Sequence, residues 1–326
     1  MTTLEMLWER DDPDEVLRTR FGFGDRGAVG RWAVGVLADR WGVQVDACDR
    51  VVMSDRNALA WVRGGSRRAV LKWSVAPERF ARLEVAAALT AWLGDRGLPV
   101  SRPLPTRDGL VQVVSDGVSM SLQDVVVGTV LDVHDPAQVQ AAGAVLARLH
   151  GAMREFPQDG RDDAVAPPPV SLHEQVSGWL DGGQDPDPST TSARRLLRRM
   201  LDTAPTADLP LQLVHGDYRA ANILCTRSEI VAVLDFEELR FDHRVVELAR
   251  SAVLLGTLFH DWGPVPESVR REFLAGYESV DPLTADEHRW WDVLVLWYSS
   301  AFVPAGEDPT GWGTAVAELV GCRMDA

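Results

Sequence analysis

The spacing of apolar residues divides the 326-residue chain into a first stretch that reads mainly as strands and a second that reads mainly as helices. Behind an acidic leader, GAVGRWAVGVLADRWG carries apolar residues at helical spacing and stops at glycine, which predicts a helix. VQVDACDRVVM, NALAWVRG and RRAVLKWSV follow as short strand-like runs broken by SDR and GGS, the pattern of an antiparallel sheet. PERFARLEVAAALTAWLGDRG returns to the helical period, with proline near its start and glycine at its end. LPVSRPLP, GLVQVVS and VSMSLQ add strand-like pieces.

The texture changes near Asp124. PAQVQAAGAVLARLHGAM, SLHEQVSGWL and TSARRLLRRML read as helices, and four more helical patterns begin near Arg244, Ser268, Asp286 and Thr310. Between them only LQLV, NILCT and IVAVLDF have strand character. PQDGRDDAVAPPPV is expected to be a surface excursion. The expected architecture is α+β and bilobal: a sheet-rich lobe with one internal helix over residues 1–123, and a helix-rich lobe over 124–326. The length suits two cores better than one.

Composition narrows the function. At 46% hydrophobic and 25% charged the chain is neither a disordered tail nor a fibre. Its apolar runs are too short to span a bilayer and its first residues are acidic, so no membrane partner or secretory signal is expected and the cytoplasm is the expected location. Three cysteines without a CxxC pair suggest neither a disulfide framework nor a zinc site. A net charge of −15 argues against nucleic acid. Residues 1–123 hold 17 basic and 16 acidic side chains, which leaves 16 basic and 32 acidic to the remainder. That excess is either a solvated surface or a lobe that attracts a cationic substrate. Oligomeric state is not readable from the sequence.

The chemistry concentrates in LVHGDYRAANIL and the run after it. If NILCT and IVAVLD pair antiparallel about RSE, Asn222 and Asp235 fall at the same open end. An amide oxygen and a carboxylate at one point are hard-cation ligands of the kind that hold Mg²⁺ on phosphates. Asp217, on the approaching loop, would orient a hydroxyl and accept its proton. His215 reads as structural.

These residues resemble the catalytic loop and metal-binding aspartate of protein kinases, with glycine in place of the kinase arginine and glutamate after Asp235-Phe236. HGDxxxxN followed by DFE is similar to the aminoglycoside phosphotransferase and choline kinase family, which also includes homoserine and sugar kinases. The resemblance implies a protein-kinase-like fold, ATP and Mg²⁺, and transfer of the γ-phosphate to a hydroxyl of a small molecule. It also implies a cation on a strand of the first lobe, held by a helical glutamate. Lys72, in RRAVLKWSV, is the only lysine of the chain, so a compact ammonium stands where every other side-chain cation of Lys or Arg type is a guanidinium. Glu84, among Leu83, Val85 and Ala86, is expected to face inward towards it. Ser54 and Asn57, in the turn before the second strand, are either phosphate donors in place of a glycine-rich loop or members of a plain hairpin turn. Gln123 to Val125 is the expected backbone contact for adenine.

On the acceptor side, Glu237 and Glu238 are the expected substrate contacts, while Asp242 reads as the N-cap of the next helix, which carries Glu247. Trp290, Trp291, Trp297 and Tyr298 read mainly as core, with one of them available to wall an acceptor pocket. The acidic second lobe favours an amine-bearing acceptor such as an aminoglycoside or another antibiotic, which would mean a resistance role. A homoserine, choline or sugar kinase is the metabolic alternative, and a nucleotide-binding regulator without catalysis is the alternative of another class.

Overall fold

A computed structural model describes residues 2–157, 164–165, 170–182, 188–206 and 209–324. The chain forms two compact units, Met1–Val127 with Gln158–Ala164, and Gly128–Pro157 with Val165–Ala326. The division falls just past the end of the last strand of the first unit. The mixed architecture, a sheet-built first part and a helical second part, is the expected α+β.

The first unit is organised on one sheet. Strands β1 (Thr3–Met6), β2 (Ala47–Met53), β3 (Asn57–Gly64), β4 (Arg67–Ser74), β5 (Pro103–Leu104), β6 (Val113–Ser115) and β7 (Val118–Asp124) order as β1-β2-β3-β4-β7-β5, with β6 also on β7. All pairings are antiparallel except β1 on β2. Alternation sends Ala69, Leu71 and Trp73 of β4 to the buried face, where Leu17, Val29, Ala33 and Leu37 meet them. Those residues come from α1 (Pro13–Thr19) and α2 (Arg26–Val36) with the short turn after it. Trp73 is gripped edge-on by Phe21 and Trp32, at 6.0 and 5.2 Å between ring centres. The acidic leader thus covers the sheet. Its helix α1 is started by Asp12, whose carboxylate accepts from the N–H groups of Asp14 and Glu15. Helix α3 (Phe80–Asp95) follows β4.

The second unit is mainly helical: α4 (Pro136–Met153), α5 (Leu172–Asp181), α6 (Pro188–Asp202), α7 (Arg244–Leu254), α8 (Glu267–Glu278), α9 (Ala285–Ala301) and α10 (Trp312–Met324). Two small sheets are inset: β8 (Thr129–Val130), β10 (Ile223–Thr226) and β11 (Glu229–Val233) in the order β11-β10-β8, and β9 (Leu211–Val214) with β12 (Arg240–His243). Strand β12 was not expected: RFDH is too short to show alternation, and pairing with LQLV makes it a strand. The expected surface excursion, Pro157 to Val170, falls largely outside the described residues. Among the described residues no helix is long and apolar enough to cross a membrane.

Helices α4 and α8 approach closely because glycine stands at both points of contact. A Cβ on Gly143 would overlap the carbonyl oxygen of Phe273, and one on Gly276 would overlap that of Gln140. Both obstacles are backbone, so no rotamer change relieves them. Helix propensity alone would reward alanine by about 1 kcal/mol at either site. Gly143→Ala and Gly276→Ala are therefore expected to lower stability by about 2 kcal/mol, read as a drop in the denaturant midpoint. An unchanged or raised midpoint would show that the helices have room to part.

Candidate active site

The loop after β9 turns sharply at Gly216, whose φ is +87°. A side chain there would overlap the carbonyl of Glu238, so the position requires glycine both for its conformation and for that close approach. The peptide is held from both ends. On one side Glu247 of α7, buried, accepts from the N–H groups of His215 (2.9 Å) and Gly216 and from His150 Nε2 (2.7 Å). On the other, the Gly216 carbonyl accepts from Arg250 Nη1 (2.8 Å) and Arg240 Nη1 (3.3 Å). Burial alone would raise the Glu247 carboxyl, but the hydrogen bond and charge of His150, with Arg240 beyond, hold it down at about 2. His150 is itself bonded through Nδ1 to the Tyr277 hydroxyl at 2.8 Å.

His215 is fully buried and plays the structural part expected of it. Its Nδ1 accepts from the Asp217 N–H (3.1 Å), which puts the proton on Nε2, donated to the Leu234 carbonyl (2.8 Å). The ring of Phe236 packs on it at 4.4 Å. One imidazole thus ties the Asp217 loop to the end of β11.

The hairpin forms in the expected register. Ile223 faces Val233, and the Leu234 N–H donates to the Asn222 carbonyl at 2.8 Å, so Asn222 and Asp235 lie at the same open end. Asn222 is buried and its amide nitrogen donates both to the Asp217 carbonyl and to Asp217 Oδ2, each at 2.9 Å, which turns its Oδ1 away from Asp217. Asp235 is exposed and left-handed, at φ 62° and ψ 66°, a conformation that costs a non-glycine residue and recurs at functional sites. Glu237, half-buried, and Glu238, exposed, follow on a single 3₁₀ turn.

The Asp217 carboxylate, 19% exposed, is more tightly fastened than the sequence suggested. Arg219 Nε contacts both of its oxygens, at 3.1 and 3.0 Å, and Arg250 Nη1 lies 3.7 Å from Oδ1. Arg219 is buried, also donates to the Thr257 carbonyl at 3.4 Å, and lies over the ring of Trp262 at 5.2 Å. Trp262 belongs to an aromatic group with Phe302 and Trp312, whose Nε1 donates to the Trp262 carbonyl at 2.6 Å. Neither Arg219 nor Trp262 was singled out from the sequence. A signal existed for Glu247 and Arg250: one charge of each sign, three residues apart, in the otherwise apolar run VVELARSAV.

In the first unit Lys72 is half-buried, opposite Leu59 and Ser121, on the face of the sheet away from Trp73. Several expectations around it are corrected. Glu84 does not face inward; it is exposed, on the stripe of α3 with Ala81 and Asp95, while Leu83, Ala86, Leu89 and Leu93 take the buried face. Ser54 spends both donors within its own turn, its N–H and hydroxyl reaching the Asn57 carbonyl at 2.8 and 3.3 Å. The Val125 N–H donates to the Arg68 carbonyl at 3.0 Å, continuing the β4–β7 ladder, and so is not available to adenine. Gln123 accepts from the Ser101 hydroxyl at 3.1 Å. In the second unit, Asp242 does not cap α7: His243 is the N-cap, and Asp242 accepts from the His243 N–H (2.8 Å) and Arg240 Nε (3.1 Å).

The profile of the phosphotransferase enzyme family matches residues 53–291, a span that includes Ser54, Lys72, Asp217, Asn222 and Asp235. The chain belongs to that family. As a phosphotransferase-family protein it is 26% identical over 211 residues to homoserine kinase of Methylobacillus flagellatus, a match covering 62% of this chain and 61% of the relative. The chain thus spans about three fifths of the length of the curated relatives it matches. Among solved structures, an aminoglycoside phosphotransferase from Alicyclobacillus acidocaldarius superposes with a TM-score of 0.62 at 16% identity, covering 94% of this chain and 95% of the other. A spectinomycin phosphotransferase bound to ADP and spectinomycin gives 0.58 at 14% identity, over 91% and 88%. At such identities the structures establish the shared fold, the kinase-like one expected.

Because the Glu247 carboxyl is depressed in the folded protein, its stabilisation is complete above the ordinary value of 4.5 and is lost as pH falls from there towards about 2. That contribution is on the order of 3 kcal/mol at neutral pH. Urea unfolding should show wild-type stability falling between about pH 5 and pH 3 by a share that Glu247→Gln lacks. Parallel pH profiles for the two proteins would remove Glu247 from this role.

Proposed function

We propose that this protein transfers the γ-phosphate of ATP to a hydroxyl of a small, amine-bearing molecule. The observation that carries the reading is the fixed peptide at Gly216, which presents the Asp217 carboxylate beside Asn222 at the open end of a hairpin that also ends in Asp235. A kinase reaction asks the protein mainly for position and charge rather than for covalent chemistry. Asp217 orients the acceptor hydroxyl and takes its proton, and Arg219 and Asn222 keep the carboxylate from turning. Lys72, on β4, is the cation assigned to the phosphates.

The donor set suits Mg²⁺. Asn222 Oδ1 and the Asp235 carboxylate are hard oxygen ligands, and among the described residues no group of three or more His, Cys, Asp or Glu is placed to hold a metal unaided. An ion that draws most of its ligands from phosphate and water is the kind Mg²⁺ prefers to be, and it would supply charge neutralisation on the phosphates. Asn222 and Asp235 would hold it. A reaction that draws on ATP supports the cytoplasm as its location.

For the acceptor, Glu237 and Glu238 beside Asp235, with the acidic excess of the second part of the chain, favour an ammonium-bearing alcohol. Trp262, stacked on the arginine that holds Asp217, is the aromatic best placed to wall it. Sequence relatives favour a small amino alcohol of the homoserine type; an aminoglycoside or another antibiotic is the alternative with the same charge logic. An ATP-consumption screen across amino alcohols, aminoglycosides, other antibiotics and sugars decides between them. A protein that binds ATP and Mg²⁺ yet consumes none of these acceptors would instead be a nucleotide-binding regulator.

Asp217→Asn is expected to lower kcat by about 10²- to 10⁴-fold with nucleotide affinity nearly unchanged. Lys72→Met is expected to weaken nucleotide use by a factor on the order of 10 or more, whereas Glu84→Gln, at an exposed position, stays within about twofold of wild type. Full turnover in Asp217→Asn, or equal losses in the Lys72 and Glu84 variants, would overturn these assignments.

A further inference from the structure

Among the described residues four arginines are deeply buried: Arg194, Arg219, Arg244 and Arg270. Taking a guanidinium out of water costs several kcal/mol unless carboxylates or several acceptors replace the solvent. Three of the four are so provided. Arg219 has Asp217; Arg244 lies between Glu287 and Asp281, at 2.6 Å from each; Arg194 donates to the carbonyls of Trp179 and Leu180 and lies over the Trp179 ring. Arg270 has the carbonyl of Val265 at 2.6 Å and no ion pair among the described residues. Burial pushes its pKa down, and Glu267 and Glu318 act on it only through space.

Arg270 faces a cavity of about 320 Å³ between α8, α9 and α10. The other two guanidinium groups there are already matched, Arg323 by Asp292 at 2.6 Å and Arg271 by Glu267 at 3.9 Å. The cavity therefore carries one positive charge without a contacting anion, and that charge is the buried one. The remaining wall is apolar: Leu274, Val295, Leu319 and the ring of Trp291. A guanidinium accepts a carboxylate through two parallel hydrogen bonds, while an apolar wall with an indole matches a flat organic body better than a hydrated inorganic dianion. The cavity is not the phosphotransfer centre. Trp312, in the aromatic group beside Arg219, and Cys322, at the cavity, lie at opposite ends of α10, about 15 Å apart along the helix.

We propose that this cavity is a second ligand site, for a small organic monocarboxylate whose carboxylate pairs with Arg270 and whose flat body lies against Trp291.

The chain supplies its own reporter. Cys322 is exposed and lines the cavity, whereas Cys48 and Cys225 are buried. The test measures the rate of Cys322 alkylation by iodoacetamide in the full-length protein, read by mass spectrometry of the Cys322 peptide. The added probes are benzoate, its neutral near-isostere benzamide, or inorganic phosphate. Saturable slowing by benzoate is expected, about tenfold at ten times its Kd, with benzamide and phosphate without effect. Arg270→Met should lose the protection and Arg271→Met should keep it. Equal protection by benzamide would mean an apolar cavity without the assigned charge. Protection by phosphate would mean a general anion site. Protection that survives in folded Arg270→Met, or no protection by benzoate at ~10 mM, would also overturn the proposal. If Arg270→Met does not fold, the wild-type thermal midpoint decides: it should rise with benzoate and not with benzamide. None of these readouts depends on the phosphotransfer reading.

Discussion

The buried carboxylate of Glu247 is the constraint on which the rest of the site depends. An ionised carboxyl in a protein interior is costly, and this one is retained because two backbone N–H groups and an imidazole converge on it. In return it fixes a turn that has little other reason to sit where it does. Gly216 is left-handed and pressed against the Glu238 backbone, and without an acceptor for its N–H that peptide would be a buried orphan. With the N–H bound to Glu247 and the carbonyl to Arg250 and Arg240, the plane of the peptide is set. The direction in which Asp217 leaves it is then set as well. Behind Glu247, His150 and Tyr277 extend the same network into α4 and α8, the two helices whose glycines let them touch. The packing of the helical unit and the aim of the Asp217 carboxylate are one problem.

Much of this was legible because it is local. NILCT and IVAVLDF are strand runs separated by a tight turn, and a hairpin brings residues equidistant from its turn together whatever the rest of the fold does. So Asn222 and Asp235 could be paired from spacing alone, and Asp217 follows because the loop is short. What failed depended on facing. Glu84 sits between Leu83 and Val85, but on a helix immediate neighbours point some 100° apart, and only the stripe at three and four residues decides which face a side chain takes. The Val125 N–H was drawn into a ladder that continued one residue past the visible pattern of β7. Ser54 took the alternative of a plain turn, because a turn residue satisfies its own turn before it serves a ligand. Asp242 failed because Arg240, two residues back on a strand no pattern announced, competed for it.

Residues missed altogether are those joined only through tertiary structure. Arg219 is two positions from Asp217, and nothing in that spacing says whether a long side chain folds back or reaches out. Its return onto the carboxylate is fixed by the Thr257 carbonyl and the face of Trp262, which stand far along the chain. Glu247 and Arg250 did announce themselves, as opposite charges in an apolar helix, but not what they would hold.

The fastening of Asp217 bears on the proposed reaction. A carboxylate offers about four acceptor positions. Oδ2 takes Arg219 and the Asn222 amide, while Oδ1 takes Arg219 closely and Arg250 only at 3.7 Å. An incoming hydroxyl therefore meets one oxygen already served twice and another with a position to spare. In the proposed reaction its donor would be directed to Oδ1, on the side of Arg250. The same arginine that steadies the Gly216 carbonyl then lies beside the atom that would receive the proton in the proposed reaction. A shift of the loop that weakened one contact would disturb the other, so holding the backbone still and aiming the acceptor are coupled through a single guanidinium.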